Sequence, residues 1–253
     1  MKRQILLKLS VLVLANISFA DVVVHKNTKQ IKVAIIDTGI DEMLLSKPVY
    51  CNEGHKDFTN TGLNDRHGHG THISGIVDQY VKDVIFNYKL PSSRIDNVVV
   101  NYCQIIIKFY DVKASNQDNL ENTIKAFKWA ISQNVDVINY SGGGNDSSPE
   151  EKKVIIEALN KGIKIVAAAG NEHANLSKKP FYPAMYDKRI YVVGNLTQDR
   201  SPATSSNYGN EVTYWEIGTN VLSRLPNGIY GIMTGTSQAT AVKTGKLIRE
   251  MLK

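Results

Sequence analysis

A chain of 253 residues with 42% apolar residues and a formal net charge of +6 has enough hydrophobic material for one sizeable globular domain. Residues 1–20 hold Lys2, Arg3 and Lys8 and no acid, so without them the charge falls to +3. That small balance, with no basic tract, speaks against a nucleic-acid partner, and no low-complexity segment or internal repeat suggests a disordered or solenoid chain.

The N-terminus reads as a secretory signal peptide. Lys2 and Arg3 form its charged start, Leu9 to Ile17 its short apolar core, and Ser18-Phe19-Ala20 fits the small-x-small cleavage rule. The apolar run is shorter than the roughly 20 residues a membrane span needs. Cleavage before Asp21 therefore predicts an exported chain, secreted or periplasmic, with no stable membrane anchor and one domain over residues 21–253. The two cysteines, Cys51 and Cys103, are an even count in an exported chain and form a candidate disulfide, or else two buried thiols.

Beyond the leader, strands and helices alternate. Ile31 to Asp37 is an apolar strand ending in an acid, and Asn97 to Tyr110 holds a second strand after a turn. Leu120 to Asn134 has helical spacing at Ile124, Phe127 and Ala130-Ile131, followed by a short strand, Val135 to Tyr140. Ser148-Pro149 opens a helix to about Lys161 as N-cap and first helical residue. Ile163–Ala169 and Ile190–Val193 are further strands, and Ala239–Leu252 is a last helical run. This alternation predicts a three-layer α/β/α domain around a central, mostly parallel sheet.

Sites in such sheets form beyond the carboxyl ends of strands. Asp37 lies at one end, Ser141-Gly142-Gly143-Gly144 at another and Gly170-Asn171-Glu172 at a third. His67, His69 and His72 fall in a glycine-bearing stretch, Asp65 to Gly75, and Ser237 follows Gly235-Thr236 at the head of the last helix. A helix N-terminus offers unpaired N–H groups and a positive dipole end, which suit a nucleophile whose attack creates an oxyanion. A serine hydroxyl is a weak nucleophile unless an imidazole takes its proton and an acid fixes the imidazole tautomer. The order Asp, His, Ser supplies those three groups.

Val33-Ala-Ile-Ile-Asp-Thr-Gly-Ile-Asp41, His69-Gly-Thr-His-Ile-Ser-Gly75, Ala168-Ala-Gly-Asn171 and Gly235-Thr-Ser-Gln-Ala-Thr240 together resemble the subtilisin-like serine proteases, with weaker support from Trp129 to Gly143, Tyr182-Pro183 and Ser206 to Gly209. The resemblance implies catalytic roles by position. Asp37 would orient the imidazole, His69 would be general base and then general acid, Ser237 the nucleophile, and Asn171 an oxyanion donor beside the Ser237 N–H. Ser141, Gly142 and Gly143 would bind the substrate backbone as a strand edge, with the stretch near Asn116 to Asp118 as the opposite edge. Walls of the pocket for the residue before the scissile bond would include Glu172, favouring a basic side chain, and Phe181, shortening the pocket. Tyr182-Pro183 is compatible with either peptide isomer.

The resemblance also has departures. Gln238 stands where relatives usually have methionine and Ala241 where they have proline. Only residues 21–30 separate Ala20 from the first strand, so no folding propeptide is expected, and the chain ends within one helix of Ser237. Ser46 stands near an expected calcium-ligand acid and the loop after Gly75 has no clear ligand set, so no calcium, metal or cofactor is expected. A single Asp-Thr-Gly rules against an aspartic-protease dyad, which needs two carboxylates. The reading is an exported serine endopeptidase, acting on polypeptides as a monomer. Its alternatives are a catalytically inactive peptide-binding module on the same fold and an esterase using the same triad.

Overall fold

The computed structural model describes residues 29–82 and 101–252. The expected leader and residues 97–100 of the second strand reading lie outside the described residues.

Among the described residues the central sheet has seven strands, all parallel: β1 (Ile31–Asp37), β2 (Lys56–Asp57), β3 (Tyr102–Lys108), β4 (Val137–Tyr140), β5 (Lys164–Ala168), β6 (Tyr191–Leu196) and β7 (Tyr214–Ile217). Their order is β2-β3-β1-β4-β5-β6-β7. A separate antiparallel pair joins β8 (Val221–Arg224) to β9 (Tyr230–Met233). Helices α1 (His69–Val81) and α4 (Thr236–Met251) cover one face, and α2 (Asn116–Ser132) and α3 (Pro149–Asn160) the other.

The residues of β1 explain this layering. Val33 and Ile35 join the cluster with α1 and α4, while Ala34 and Ile36 join the cluster with α2 and α3. Side chains alternate across a strand, so a strand buried on both faces must be apolar at successive positions. The buried Gln104 of β3 and Asn139 of β4 are paired across to the helices. In β3, Gln104 accepts from the Ser74 hydroxyl at 2.7 Å and donates to the Ser74 carbonyl at 3.1 Å, tying the strand to α1. In β4, Asn139 accepts from Thr244 of α4 at 2.8 Å.

Helices α1 and α4 pack closely because Gly245 carries no side chain. A Cβ there would lie 2.6 Å from Cβ of Tyr80 and 2.8 Å from the Val77 carbonyl oxygen. The expected helix after Ser148 forms, with the Ser148 hydroxyl accepting from the Glu151 N–H at 3.2 Å and Pro149 in the first turn. Cys51 and Cys103 are joined in a disulfide, with Cα atoms 5.0 Å apart. The Tyr182–Pro183 bond is cis.

One expectation is corrected. Asn116 to Asp118 is not an extended edge but the first turn of α2. Ser115 caps that helix, its hydroxyl accepting from the Asp118 N–H at 3.1 Å while the Asp118 carboxylate accepts from Ser115. This reciprocal capping satisfies N–H groups that an edge strand would have offered to a partner.

Candidate active site

Neighbouring strands β1, β4 and β5 bring their carboxyl ends side by side. Asp37 is the last residue of β1, Ser141 to Gly144 follow β4, and Gly170 and Asn171 follow β5. From the opposite layer, α1 and α4 deliver His69 and Ser237 at their first turns. The structure thus gathers Asp37, His69, Ser141, Asn171 and Ser237 at one sheet edge.

Asp37 is buried, and its Oδ1 lies 2.7 Å from His69 Nδ1. A carboxylate at that distance fixes the proton on Nδ1 and leaves Nε2 as the acceptor. Burial pulls the His69 pKa down, but the Asp37 charge and hydrogen bond, with the Asp65 charge, outweigh it, and the net shift is upward. Asp37 Oδ1 also accepts from the Thr38 N–H at 2.8 Å, which holds the carboxylate.

A second acid builds the loop before His69. Asp65 Oδ1 accepts from the Thr38 hydroxyl at 2.8 Å and from the Gly68 N–H at 2.8 Å, and its Oδ2 accepts from both the N–H and hydroxyl of Thr71 at 2.8 Å. One buried carboxylate therefore ties the residue after Asp37 to the first turn of α1, where helix N–H groups lack partners. Gly70 allows this approach, since a Cβ there would lie 2.2 Å from the Gly39 carbonyl oxygen.

Ser237 follows Thr236, whose N–H donates to Asn171 Oδ1 at 2.9 Å. That bond assigns the Asn171 amide: its oxygen is engaged, so its NH2 is free to donate. The Ser237 hydroxyl donates to the Ser141 carbonyl oxygen at 3.0 Å. Its proton therefore faces β4 in this rotamer, and transfer to His69 Nε2 requires the hydroxyl to turn.

The residues expected to bind substrate separate into three cases. Ser141, Gly142 and Gly143 border a cleft of about 670 Å³ that Asp37 and His69 also line. Phe181 packs over two strand ends: a Cβ on Gly143 would lie 2.4 Å from its ring, and one on Gly170 would lie 3.0 Å from it. The slot between those strand ends is thus occupied by an aromatic ring. Glu172 is exposed, but its carboxylate pairs with Lys179 at 2.6 Å and accepts from Asn145 at 3.2 Å. The Lys179 hydrogen bond holds its pKa below the ordinary carboxylate value. Its charge is already matched, so it gives little attraction to an incoming basic side chain.

His72 is fully buried on α1, and its Nε2 lies 3.1 Å and 3.2 Å from the carbonyl oxygens of Val221 and Gly231. It ties α1 to the β8–β9 pair, and burial lowers its pKa. The sequence reading missed a further supporting residue, Asn207. Its Oδ1 accepts from the N–H groups of Glu172 at 3.0 Å and Ala174 at 2.9 Å, and its amide donates to the Ala169 carbonyl at 2.8 Å. The signal was present in Ser206 to Gly209, which matched the family pattern without an assigned role. No group of three or more His, Cys, Asp or Glu side chains suited to a metal occurs among the described residues.

Comparison with known proteins follows the same geometry. The sequence model of the Subtilase family matches residues 28–248. The chain is 35% identical to a subtilisin of Bacillus pumilus over 214 residues, covering 83% of this chain and 72% of that protein. It is 32% identical over 229 residues to the major intracellular serine protease of Bacillus subtilis (strain 168), covering 87% and 67% of the two chains. It spans about half of some other relatives, such as 52% of subtilisin J of Geobacillus stearothermophilus at 35% identity. Among solved structures, a cold adapted subtilisin-like serine proteinase matches with a TM-score of 0.67 and 24% identity, covering 87% of this chain and 76% of that one, and so shares the fold.

Proposed function

The chain belongs to the subtilase family of serine-type endopeptidases, and from that premise we propose that it hydrolyses peptide bonds through an acyl-enzyme formed on Ser237. The observation that carries this reading is the buried Asp37–His69 pair at 2.7 Å, which leaves His69 Nε2 as a base on the side of the cleft. Ser237 Oγ attacks the scissile carbonyl carbon as Nε2 takes its proton. Asp37 stabilises the imidazolium without being protonated. The carbonyl oxygen becomes an oxyanion, held by the Asn171 amide NH2 and the Ser237 N–H at the positive end of α4. His69 then protonates the leaving amine. A water, deprotonated by His69, attacks the acyl carbon and releases the second product.

The substrate backbone lies along Ser141 to Gly143, and the ring of Phe181 limits the pocket for the residue before the scissile bond to small side chains. Export is the compartment reading. A disulfide persists in oxidising compartments, and Cys51 and Cys103 are so joined. No helix of the described residues is long and apolar enough to cross a membrane.

The alternative, a peptide-binding module without turnover, draws on the Ser237 hydroxyl donating to Ser141 at 3.0 Å. One experiment separates the two. The purified chain and its Ser237→Ala variant are treated with a fluorophosphonate serine probe and weighed intact. One adduct on the first and none on the second is the expected outcome. An unlabelled, folded chain would reject an activated serine and favour the binding module.

A further inference from the structure

The cleft lined by Asp37 and His69 is also lined by the residues that follow β4. Tyr110, Leu120, Tyr140 and Glu151, the last in the first turn of α3, line a further arm of it. Its walls carry the rings of Phe109, Tyr110, Tyr140 and Tyr182, and its acids are Asp37, Asp146 and Glu151. Neither lysine nor arginine is among the described residues that line it. Asp37 is matched by His69, whereas Glu151 faces the cleft while only 4% exposed. Gly142 and Gly144 put no side chain over the opening, and an added Cβ at Gly144 would meet nothing within 4 Å.

The carboxylate of Glu151 is held in place. The Ser148 N–H donates to the Tyr186 hydroxyl oxygen at 2.7 Å, so the Tyr186 proton goes to Glu151 Oε2 at 2.8 Å. One phenol is a meagre partner for a desolvated acid, and burial raises the Glu151 pKa even with that bond. An incoming ammonium or guanidinium would restore what burial removes, and the aromatic walls would add cation–π attraction. The volume, about 670 Å³ for the whole cleft, leaves room for a long side chain.

We propose that this arm of the cleft is a binding site for a lysine or arginine side chain of the substrate, on the acyl side of the scissile bond, selected by Glu151. The proposal rests on the reading above only for the course of the substrate along Ser141 to Gly143. With Phe181 closing the adjacent slot, recognition moves from the residue beside the cut to a basic residue farther along the peptide.

The test uses fluorescent peptides that carry lysine, norleucine or glutamate at each of four successive acyl-side positions. Binding is measured on the full-length Ser237→Ala chain and kcat/KM on the unaltered chain. At one position lysine is expected to exceed norleucine by about tenfold or more, with glutamate weakest. Glu151→Gln should bring the lysine-to-norleucine ratio to within about twofold, while Tyr186→Phe, which removes the same structural hydrogen bond but keeps the acid, should retain the preference. Flat binding across the series on the unaltered cleft overturns the proposal, as does a preference that survives Glu151→Gln or falls equally in Tyr186→Phe. If Glu151→Gln does not fold, the unaltered peptide series decides alone. Cation-selective binding beside an unlabelled Ser237 would leave this site standing and reject the acyl-enzyme reading; a labelled serine with flat binding would do the reverse.

Discussion

Each acid at the site has a different job because each has a different set of neighbours. Asp37 faces an imidazole, Asp65 faces helix N–H groups and hydroxyls, and Glu172 faces a lysine. Asp37 was legible as chemistry at the end of its strand motif, whereas Asp65 was visible only as the start of the histidine-bearing stretch and its role as a loop anchor emerges from the fold. The third was misread as a free charge because Lys179 lies in a loop whose course no local pattern sets. Asp65 affords a prediction. Asparagine at that position turns an NH2 toward N–H donors, so Asp65→Asn should lose about 1–3 kcal/mol in urea unfolding. It also removes a charge that raises the His69 pKa. A base must be neutral to act, so activity rises with pH through that pKa. The acid limb of kcat/KM, placed above the ordinary imidazole range by the Asp37 and Asp65 charges, should therefore move to lower pH in Asp65→Asn. A limb that stays put or climbs would show that Asp65 acts on the fold alone.

At the level of elements, alternation and caps carried most of the information. The strand readings Ile31–Asp37 and Ile163–Ala169 and the Ser148 helix start agree with the observed elements to within a residue or two. The α2 start was missed although Ser115 and Asp118 spell a capping box, because the family pattern suggested an edge strand there. Packing between strand ends was not legible at all. Phe181 reaches back to Gly143 after β4 as well as to the nearer Gly170, and only the folded chain reveals the ring seated between them. That arrangement predicts a widened pocket in Phe181→Ala. The variant's ratio of kcat/KM for phenylalanine over alanine before the scissile bond should rise about tenfold or more. An unchanged ratio would mean that the ring does not limit the pocket.

For the whole molecule, the alternating pattern was sufficient to specify a layered parallel sheet, yet not which distant segments are clamped together. The Cys51–Cys103 bond spans 52 residues of sequence. Closing a loop of that length restricts the unfolded chain by about 4 kcal/mol in the chain-entropy account. Replacing both cysteines with alanine should lower stability in urea by about 2–4 kcal/mol. A loss near zero would place the stabilisation elsewhere, in the two apolar layers.

The same bond encloses α1 and its histidine within the bridged loop. A peptidase at high concentration meets copies of itself, and a cut anywhere between residues 52 and 102 would open the backbone without parting the pieces. The nicked chain would run whole on a gel without reductant and split in two with it. His69 would stay tethered to the sheet, so a single internal scission need not end the working life of the molecule.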